Sequence, residues 1–365
     1  MIKTIEIPYG TPEWHEFRKS GIGGSEQSIL HGFQDKYSSP AKLFNLKIGR
    51  IAHDSYDNEA MAWGRWLEST ILDRWQYYDG ENNYLDNHRD GNIIRRYRIT
   101  DGFAVNDKYP WLFYSEDGHF EDGFSLSTGE TIKKGLLECK TITTMSANRW
   151  EYGIPPGYIF QVHQGMLVHE LDYAEIVVLK DGRFLSVYPI DRVDSICDTI
   201  LKTSKAFWYD RVLPAKEAYS EYLYNERAGR TERAAEAMYL IDNLEPMPDG
   251  SDGHKDFENE RWEESSLRAD GDQKNRNRLI LDKYLLEAEK MIKTQREYNI
   301  QMVRRDMRKQ GVNALDYKDG YVRIYKRRNG VNPLVDNRMK VKVDLDAVDL
   351  GVKRLLKIIN EGDWK

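Results

Sequence analysis

The chain has only two cysteines, Cys139 and Cys197, in 365 residues. Two are too few for a disulfide framework or a four-cysteine cluster. Neither has a CxxC partner, which argues against structural zinc and iron–sulfur ligation. A reducing cytoplasm is the expected compartment. No apolar run approaches the roughly 20 residues that a membrane span needs. The opening residues MIKTIEIPYG alternate apolar and polar and lack the apolar centre of a secretory leader. They read as an edge strand of a soluble protein. His31, His119, His163 and His169 show no HExxH or H-x-E spacing, which argues against a zinc site. Gly21-Ile-Gly-Gly24 lacks the lysine and serine of a nucleotide-binding loop. Basic charge is not in excess either, with 54 Lys and Arg against 60 Asp and Glu, a net of −6. That balance weighs mildly against nucleic-acid binding. It decides little, because carboxylates that hold metal ions are acidic and basic residues need line only one groove.

What is present supports a substantial core: 40% of residues are hydrophobic and 12% aromatic, under a surface rich in charge. The length suits one large domain with an appendage, or two domains. We place the first domain at residues 1–214, where aromatic residues and turn signals mix strand-like and helix-like segments. A short helix is expected over 13–19, after Pro12. A second runs from Ser25, as its N-cap, to about residue 31. Residues 59–78 form the clearest amphipathic helix, with Trp63, Leu67, Ile71, Leu72 and Trp75 marking its buried face. Strands are expected over 98–105, 111–120 and 135–142, the last two joined as a hairpin. A helix over 157–171 follows, then an antiparallel pair around Lys180-Asp-Gly182, then a helix over 193–209. After Pro214 the chain becomes charged and helix-prone, so residues 215–365 read as a helical extension. Within it, 242–264 holds nine acidic residues against Lys255 and Arg261, with two prolines and two glycines. It reads as a mobile loop or weakly ordered connector. Residues 321–326 and 340–343 read as short strands before a final helix from Ala347.

The chemistry centres on Gly135-Leu-Leu-Glu138-Cys-Lys140-Thr. Residues two apart on a strand share a face, so Glu138 and Lys140 project together while Leu137 and Cys139 enter the opposite layer. Such a carboxylate can hold a divalent cation, and the neighbouring ammonium can orient water and offset phosphate charge. E-x-K alone is weak evidence, since so charged a chain produces the triplet by chance on solvated sheet faces. Three further features strengthen it. Asp117 ends an aromatic run about twenty residues earlier, and a hairpin would bring it beside Glu138. Two convergent carboxylates repel unless a cation lies between them, which implies Mg²⁺ or Mn²⁺ among oxygen ligands; the bland alternative is an Asp-Gly turn. Glu68 lies near the apolar boundary of the amphipathic helix, where it is either an ordinary exposed glutamate or an acid reaching over the sheet. Tyr158 and Gln161 share a helix face, with Gln164 one step on, as boundary polar residues or as groups facing the site. The basic clusters Arg304-Arg305, Arg308-Lys309 and Lys326-Arg-Arg328 suit DNA-backbone tracking and solvated helix faces equally well.

In order, the pattern is Glu on a helix, Asp after a strand, Glu-x-Lys on a strand, then Gln on a helix. It resembles the PD-(D/E)XK nuclease superfamily, whose α/β core is a small mixed sheet flanked by helices. More narrowly it resembles the YqaJ-type viral recombinases, which include the lambda-type phage exonucleases. The narrower likeness rests on Trp14-x3-Arg18 leading to Ile22-Gly-Gly-Ser25, on Tyr37-Ser-Ser-Pro40 with Leu43-Phe44, Lys47 and Gly49, and on Pro156-Gly-Tyr158-x-x-Gln161-Val. It covers roughly residues 10–215.

The resemblance implies a Mg²⁺-dependent DNA exonuclease, with Mn²⁺ able to substitute. It implies metal held by Asp117, Glu138 and the Cys139 carbonyl, with Glu68 in support, directly or not. Lys140 would position the attacking water, Gln161 would act near the scissile phosphate, and Tyr158 would lie along the DNA backbone. Arg18 and Ser25 match positions that hold a 5′-terminal phosphate; alternatively they are a surface ion pair and a plain cap. The implied substrate is linear double-stranded DNA cut 5′ to 3′ to leave 3′ single strands, with a structure-specific or single-strand nuclease as the alternative, and a non-catalytic DNA-binding module behind both. A single-strand annealing partner, a homo-oligomeric ring and a phage or prophage origin in bacterial cytoplasm follow from the same resemblance. One departure from the family is Glu116, where a small or apolar residue is usual. It is expected to point away from Asp117, or with a shifted register to be a second ligand.

Overall fold

The computed structural model describes residues 1–33, 38–52, 59–80, 84–124, 129, 131–144, 150, 153–261, 273–310, 314–317, 320–325 and 334–337. The chain divides into two compact units, Met1–Glu263 and Glu264–Lys365.

The first unit opens with β1 (Ile2–Ile5) and α1 (Pro12–Phe17), whose Thr11 cap accepts the Trp14 N–H. Two 3₁₀ turns, Arg18–Ser20 and Gly24–Glu26, lead into the short α2 (Gln27–Leu30). Then come α3 (Pro40–Ile48), α4 (Glu59–Trp75) and α5 (Tyr84–Asp90). Strands β2 (Tyr97–Arg98), β3 (Phe103–Asn106), β4 (Phe113–Tyr114), β5 (Gly118–Phe124) and β6 (Thr131–Ile142) follow. Helix α6 (Pro156–His169) crosses over to β7 (Tyr173–Lys180), which turns back as β8 (Phe184–Asp191). The unit ends in α7 (Asp194–Ala206), a π-helical turn at Phe207–Val212, α8 (Leu213–Arg227), α9 (Thr231–Leu244) and α10 (Asp252–Arg261).

A small antiparallel sheet has the order β1-β3-β4, and a five-stranded sheet the order β2-β5-β6-β7-β8. In the larger sheet only β6 and β7 run parallel, so their connection must cross over, and α6 does so. The alternation along β6 splits its side chains between two layers. Leu136 faces Val162, Met166, Ile176 and Val178 on the α6 side. Leu137 and Cys139 enter the other layer with Ile71, Leu72 and Trp75 of α4, as their spacing required. Burying each large apolar side chain contributes about 1.5–3 kcal/mol, which fixes the strand's register against both helices. Three residues, Asp181 to Arg183, join β7 to β8, with Asp181 and Gly182 at φ 53° and 66° and the Arg183 N–H closing the turn on the Lys180 carbonyl.

Several expectations are corrected. The run 111–120 is not one strand: β4 pairs with β3 in the small sheet, β5 pairs with β6 in the large one, and the chain changes sheet between them. Trp63 is 51% exposed and Trp66 is exposed beside it, so the buried face of α4 begins at Leu67. Ser25 is not an N-cap: it sits within the second turn, where Glu26 folds back to accept the Gly23 N–H at 2.8 Å. The helix expected to close at residue 209 continues through the π-helical turn into α8. Pro214 is the second residue of α8, directly after the π-helical turn. Within the supposed connector, α9 ends and α10 forms, held by buried His254 and Phe257 and by an Arg261–Glu245 ion pair of 2.8 Å. The first compact unit thus takes in helices beyond Pro214.

In the second unit α11 (Gln273–Gln310) is one continuous helix, and β9 (Ala314–Tyr317), β10 (Gly320–Tyr325) and β11 (Leu334–Asn337) pair antiparallel in the order β11-β10-β9. The strand expected at 340–343, the helix from Ala347 and the cluster at Lys326 lie outside the described residues. No helix among the described residues is long and apolar enough to cross a membrane.

Candidate active site

Glu138 is the hub. It projects from β6 on the α6 side and is only 2% exposed. Its Oε1 accepts from Lys140 Nζ at 2.5 Å and from Gln161 Nε2 of α6 at 2.6 Å. Its Oε2 accepts from the Tyr114 hydroxyl at 2.6 Å. Lys140 Nζ also stands 5.0 Å from the ring centre of Tyr158, which stacks on Trp150. Tyr158 and Gln161, three apart on α6, both face Lys140 and Glu138. Gln164 does not: it is fully buried, donates to the Ile22 and Phe113 carbonyls, and accepts from Gln27 at 2.6 Å.

Asp117 arrives where the chain leaves the small sheet for the large one. Gly118 pairs with Leu137, which places the Asp117 carboxylate at the next step of β6, where Oδ2 accepts the Cys139 N–H at 2.7 Å. Glu68 comes from α4 on the opposite face of the sheet and is close enough to feel Glu138 and Lys140. Burial, followed by the charge of Glu138, pushes the Asp117 carboxyl well above its usual range, and the same two causes raise Glu68. Burial would lower the Lys140 ammonium, but Glu138 and Asp117 outweigh it and hold it protonated.

Three acids therefore lie around the Lys140 ammonium. Among the described residues no three His, Cys, Asp or Glu side chains form a ready-made metal cage. A site of two carboxylates, a backbone carbonyl and water does not need one. The donors are all oxygen, and the destabilised Asp117 carboxylate is what a hard divalent cation would relieve. The residues fit such an ion.

Arg18 and Ser25 lie on the two 3₁₀ turns beside this centre. Gly24 packs so tightly that an added Cβ would lie 2.4 Å from the Tyr114 ring and 3.4 Å from Gln161 Cγ. The next residue, Ser25, is exposed. Arg18 Nη2 reaches Glu26 at 2.9 Å and its guanidinium lies over Trp14. Gly24 thus seats the second turn against Tyr114 and Gln161, and Glu26 of that turn holds the Arg18 guanidinium. Glu116 points away into a buried group with His119 (2.7 Å) and His169 (3.4 Å), not toward Asp117.

Sequence reading missed Tyr114 and Glu26, and it named Lys47 only as part of a motif, without its partner. Tyr114 sits in an aromatic run that signals only core, and nothing local shows that its hydroxyl meets a carboxylate. Glu26 and Lys47 are ordinary charges in the sequence, yet both are buried, 2.7 Å apart.

An acid entering one strand and Glu-x-Lys on its neighbour, on a mixed sheet flanked by helices, are the arrangement expected from the sequence. Residues 13–172 match the model of the YqaJ-like viral recombinase domain family. The uncharacterized protein YqaJ of Bacillus subtilis (strain 168) is 30% identical over 230 residues, 60% of this chain. The chain spans 64% of that relative's length. Among solved structures, an alkaline exonuclease from Laribacter hongkongensis aligns at 20% identity and TM-score 0.42, over 60% of this chain and 99% of its own. A phage-related exonuclease from Haemophilus somnus 129PT aligns at 10% identity and TM-score 0.31, over 53% and 96%.

Proposed function

We propose that the chain is a metal-dependent deoxyribonuclease that degrades linear double-stranded DNA from its ends, 5′ to 3′, and leaves 3′ single strands for homologous recombination. The observation that carries this reading is the convergence of Lys140, Gln161 and Tyr114 on Glu138, with the Asp117 carboxylate one strand step away. The match of residues 13–172 to the YqaJ-like viral recombinase domain model supports the recombination setting.

Asp117, Glu138 and the Cys139 carbonyl would hold Mg²⁺, or Mn²⁺ in its place, with Glu68 in support. Such an ion, when bound, supplies Lewis acidity to the phosphate and lowers the pKa of water. Lys140, kept charged by its carboxylate neighbours, orients the attacking water and offsets negative charge on phosphorus. Gln161 fixes Glu138 through one amide hydrogen and offers the other toward the scissile phosphate. Tyr158 flanks the Lys140 ammonium and lies along the DNA backbone. Arg18 and Ser25 hold the 5′-terminal phosphate, the guanidinium as a charged fork and the hydroxyl as a donor. Water adds to phosphorus, the bond to the 3′-oxygen breaks, and the shortened strand keeps a 5′-phosphate for the next cycle. The catalytic region lies within residues 1–214, and the chain beyond it first adds helices to the same compact unit, up to Glu263. A single-strand annealing protein is the proposed partner, a homo-oligomeric ring the proposed assembly, and the bacterial cytoplasm, with a phage or prophage gene, the proposed setting.

The test is linear duplex DNA labelled at either end, incubated with Mg²⁺ or chelator. Metal-dependent release of 5′-terminal nucleotides is expected, and Lys140→Ala should slow it roughly 10²- to 10³-fold. Cutting of closed circles or of single strands alone would leave a nuclease but discard the terminal-phosphate role of Arg18 and Ser25. No cleavage with either metal would overturn the enzyme, leaving a DNA-binding module on this fold.

A further inference from the structure

The turn that presents Arg18 is gripped from three directions. Lys47 Nζ, on α3, donates to the Arg18 carbonyl at 2.6 Å. Lys216 Nζ, on α8, donates to the next carbonyl, that of Lys19, at 2.9 Å. Glu26 holds the Arg18 side chain itself at 2.9 Å, binds Lys47 at 2.7 Å, and takes the Gly23 N–H at 2.8 Å. Glu26 is 6% exposed and Lys47 2%. One carboxylate therefore ties the turn bearing Arg18 to the turn bearing Ser25, and two lysines pin consecutive carbonyls of the first.

A surface arginine would not need this arrangement. An exposed ion pair contributes little, whereas a buried carboxylate satisfied by two cations and a backbone N–H fixes geometry. Burial pulls Lys47 down to about 8 although Glu26 beside it works in the opposite sense, so the fold keeps a costly ammonium at this position. Lys216 comes from beyond Pro214, in a helix whose Ala215 and Ala218 are buried in the core. Farther along, Arg50 at the end of α3 pairs with Asp242 at 3.1 Å, and Asn45 of α3 donates to Glu245 at 3.0 Å. The helices after residue 213 thus brace the Arg18 turn directly through Lys216 and indirectly through α3.

We infer that Glu26, Lys47 and Lys216 are positioning residues that aim Arg18 and Ser25 at the terminal 5′-phosphate. Part of the chain beyond Pro214 is therefore needed to recognise a phosphorylated DNA end. This rests on the proposed role of Arg18 and Ser25. A phosphate gripped by a guanidinium and a hydroxyl from two different turns requires those turns to keep their spacing, and the Glu26 carboxylate sets it.

The experiment compares the full-length protein, with Mg²⁺, on blunt linear duplex carrying either a 5′-phosphate or a 5′-hydroxyl, and reads the ratio of initial rates. Lys216→Met is the main variant because Lys216 is half-buried at a helix surface. Lys216→Arg keeps a cationic donor, and Glu26→Gln is the second variant. The ratio should fall about tenfold in Lys216→Met and in Glu26→Gln, through a higher KM for phosphorylated ends, and should return in Lys216→Arg. Arg18→Ala should abolish it. If Arg18→Ala loses the preference while Lys216→Met and Glu26→Gln keep the wild-type ratio, the positioning role is overturned and the terminal-phosphate reading stands. If the wild-type protein shows no preference, that reading fails and the inference fails with it.

Discussion

Tyr114 spends its hydroxyl on Glu138 instead of on water. Burial and the neighbouring carboxylates push its ionisation far up, so it can only donate there. Such an outer partner fixes which carboxylate oxygen faces a metal. Tyr114→Phe should keep the fold and weaken Mn²⁺ binding or the rate by roughly 10- to 100-fold, read by calorimetry and by cleavage. An unchanged affinity and rate would make Tyr114 mere packing. Asp117 gives a prediction of opposite sign for stability. An acid whose folded pKa is raised favours its protonated form in the fold. The stability it contributes is present at low pH and is lost as pH rises from the ordinary carboxylate range near 4. The metal-free protein should therefore be less stable at neutral pH than its core implies, and Mg²⁺ or Mn²⁺ should raise Tm. Asp117→Asn in chelator should also raise Tm, by about 2–4 °C per kcal/mol relieved, while removing the response to metal. A drop in Tm in chelator would refute this account of Asp117.

At the scale of elements, the site depends on how closely the Gly23–Gly24 turn approaches β4 and α6. A methyl at residue 24 would meet the Tyr114 ring well inside contact distance. Gly24→Ala should cost about 1–3 kcal/mol by overpacking and, by displacing Tyr114 and Gln161, should lower the cleavage rate more than it lowers stability. Denaturant unfolding together with kinetics separates the two effects. The elements legible in advance were those with a periodic apolar face. Ile71, Leu72 and Trp75 recur at helical spacing, and Leu136/Leu137 alternate about Glu138, so α4, α6 and β6 stood out. What failed to show was set by partners distant in sequence. Trp63 has the right spacing for the α4 face yet is exposed, its ring set edge-on against the exposed Trp66. Residues 111–120 read as one strand because aromatic content does not mark a change of sheet. The acidic stretch around 252–261 read as a connector because Phe257 is one apolar residue among many charges, and only its burial makes α10.

For the molecule as a whole, the helices after Pro214 belong to the compact unit that contains the site. Ala215, Ala218, Ala234, Ala237, Ile241 and Phe257 are buried, and Arg211 donates to the Leu244 carbonyl at 2.9 Å. A chain ending at Glu263 should fold cooperatively, whereas one ending at Pro214 should be strongly destabilised or insoluble. Circular dichroism and thermal melting of the two truncations test this. Equal stability of the shorter chain would show that the later helices are dispensable to the fold. Phe257→Ala alone should cost about 3–5 kcal/mol if α10 is integral.

By itself the sequence singled out the candidates and their order: Glu68, Asp117, the Glu138-x-Lys140 pair and Gln161, because residue type and two-residue spacing on a strand are local properties. It also determined the alternation that separates the face of β6 bearing Glu138 and Lys140 from the one bearing Leu137 and Cys139. Only the tertiary structure decided that Tyr114 holds Glu138, that Gln164 is structural, that Glu116 turns to His119 and His169, and that Lys47 and Lys216 pin the Arg18 turn. Each of those depends on which distant segments meet in the folded core. Local periodicity cannot encode that, because it comes from packing buried surface around charges that must find partners.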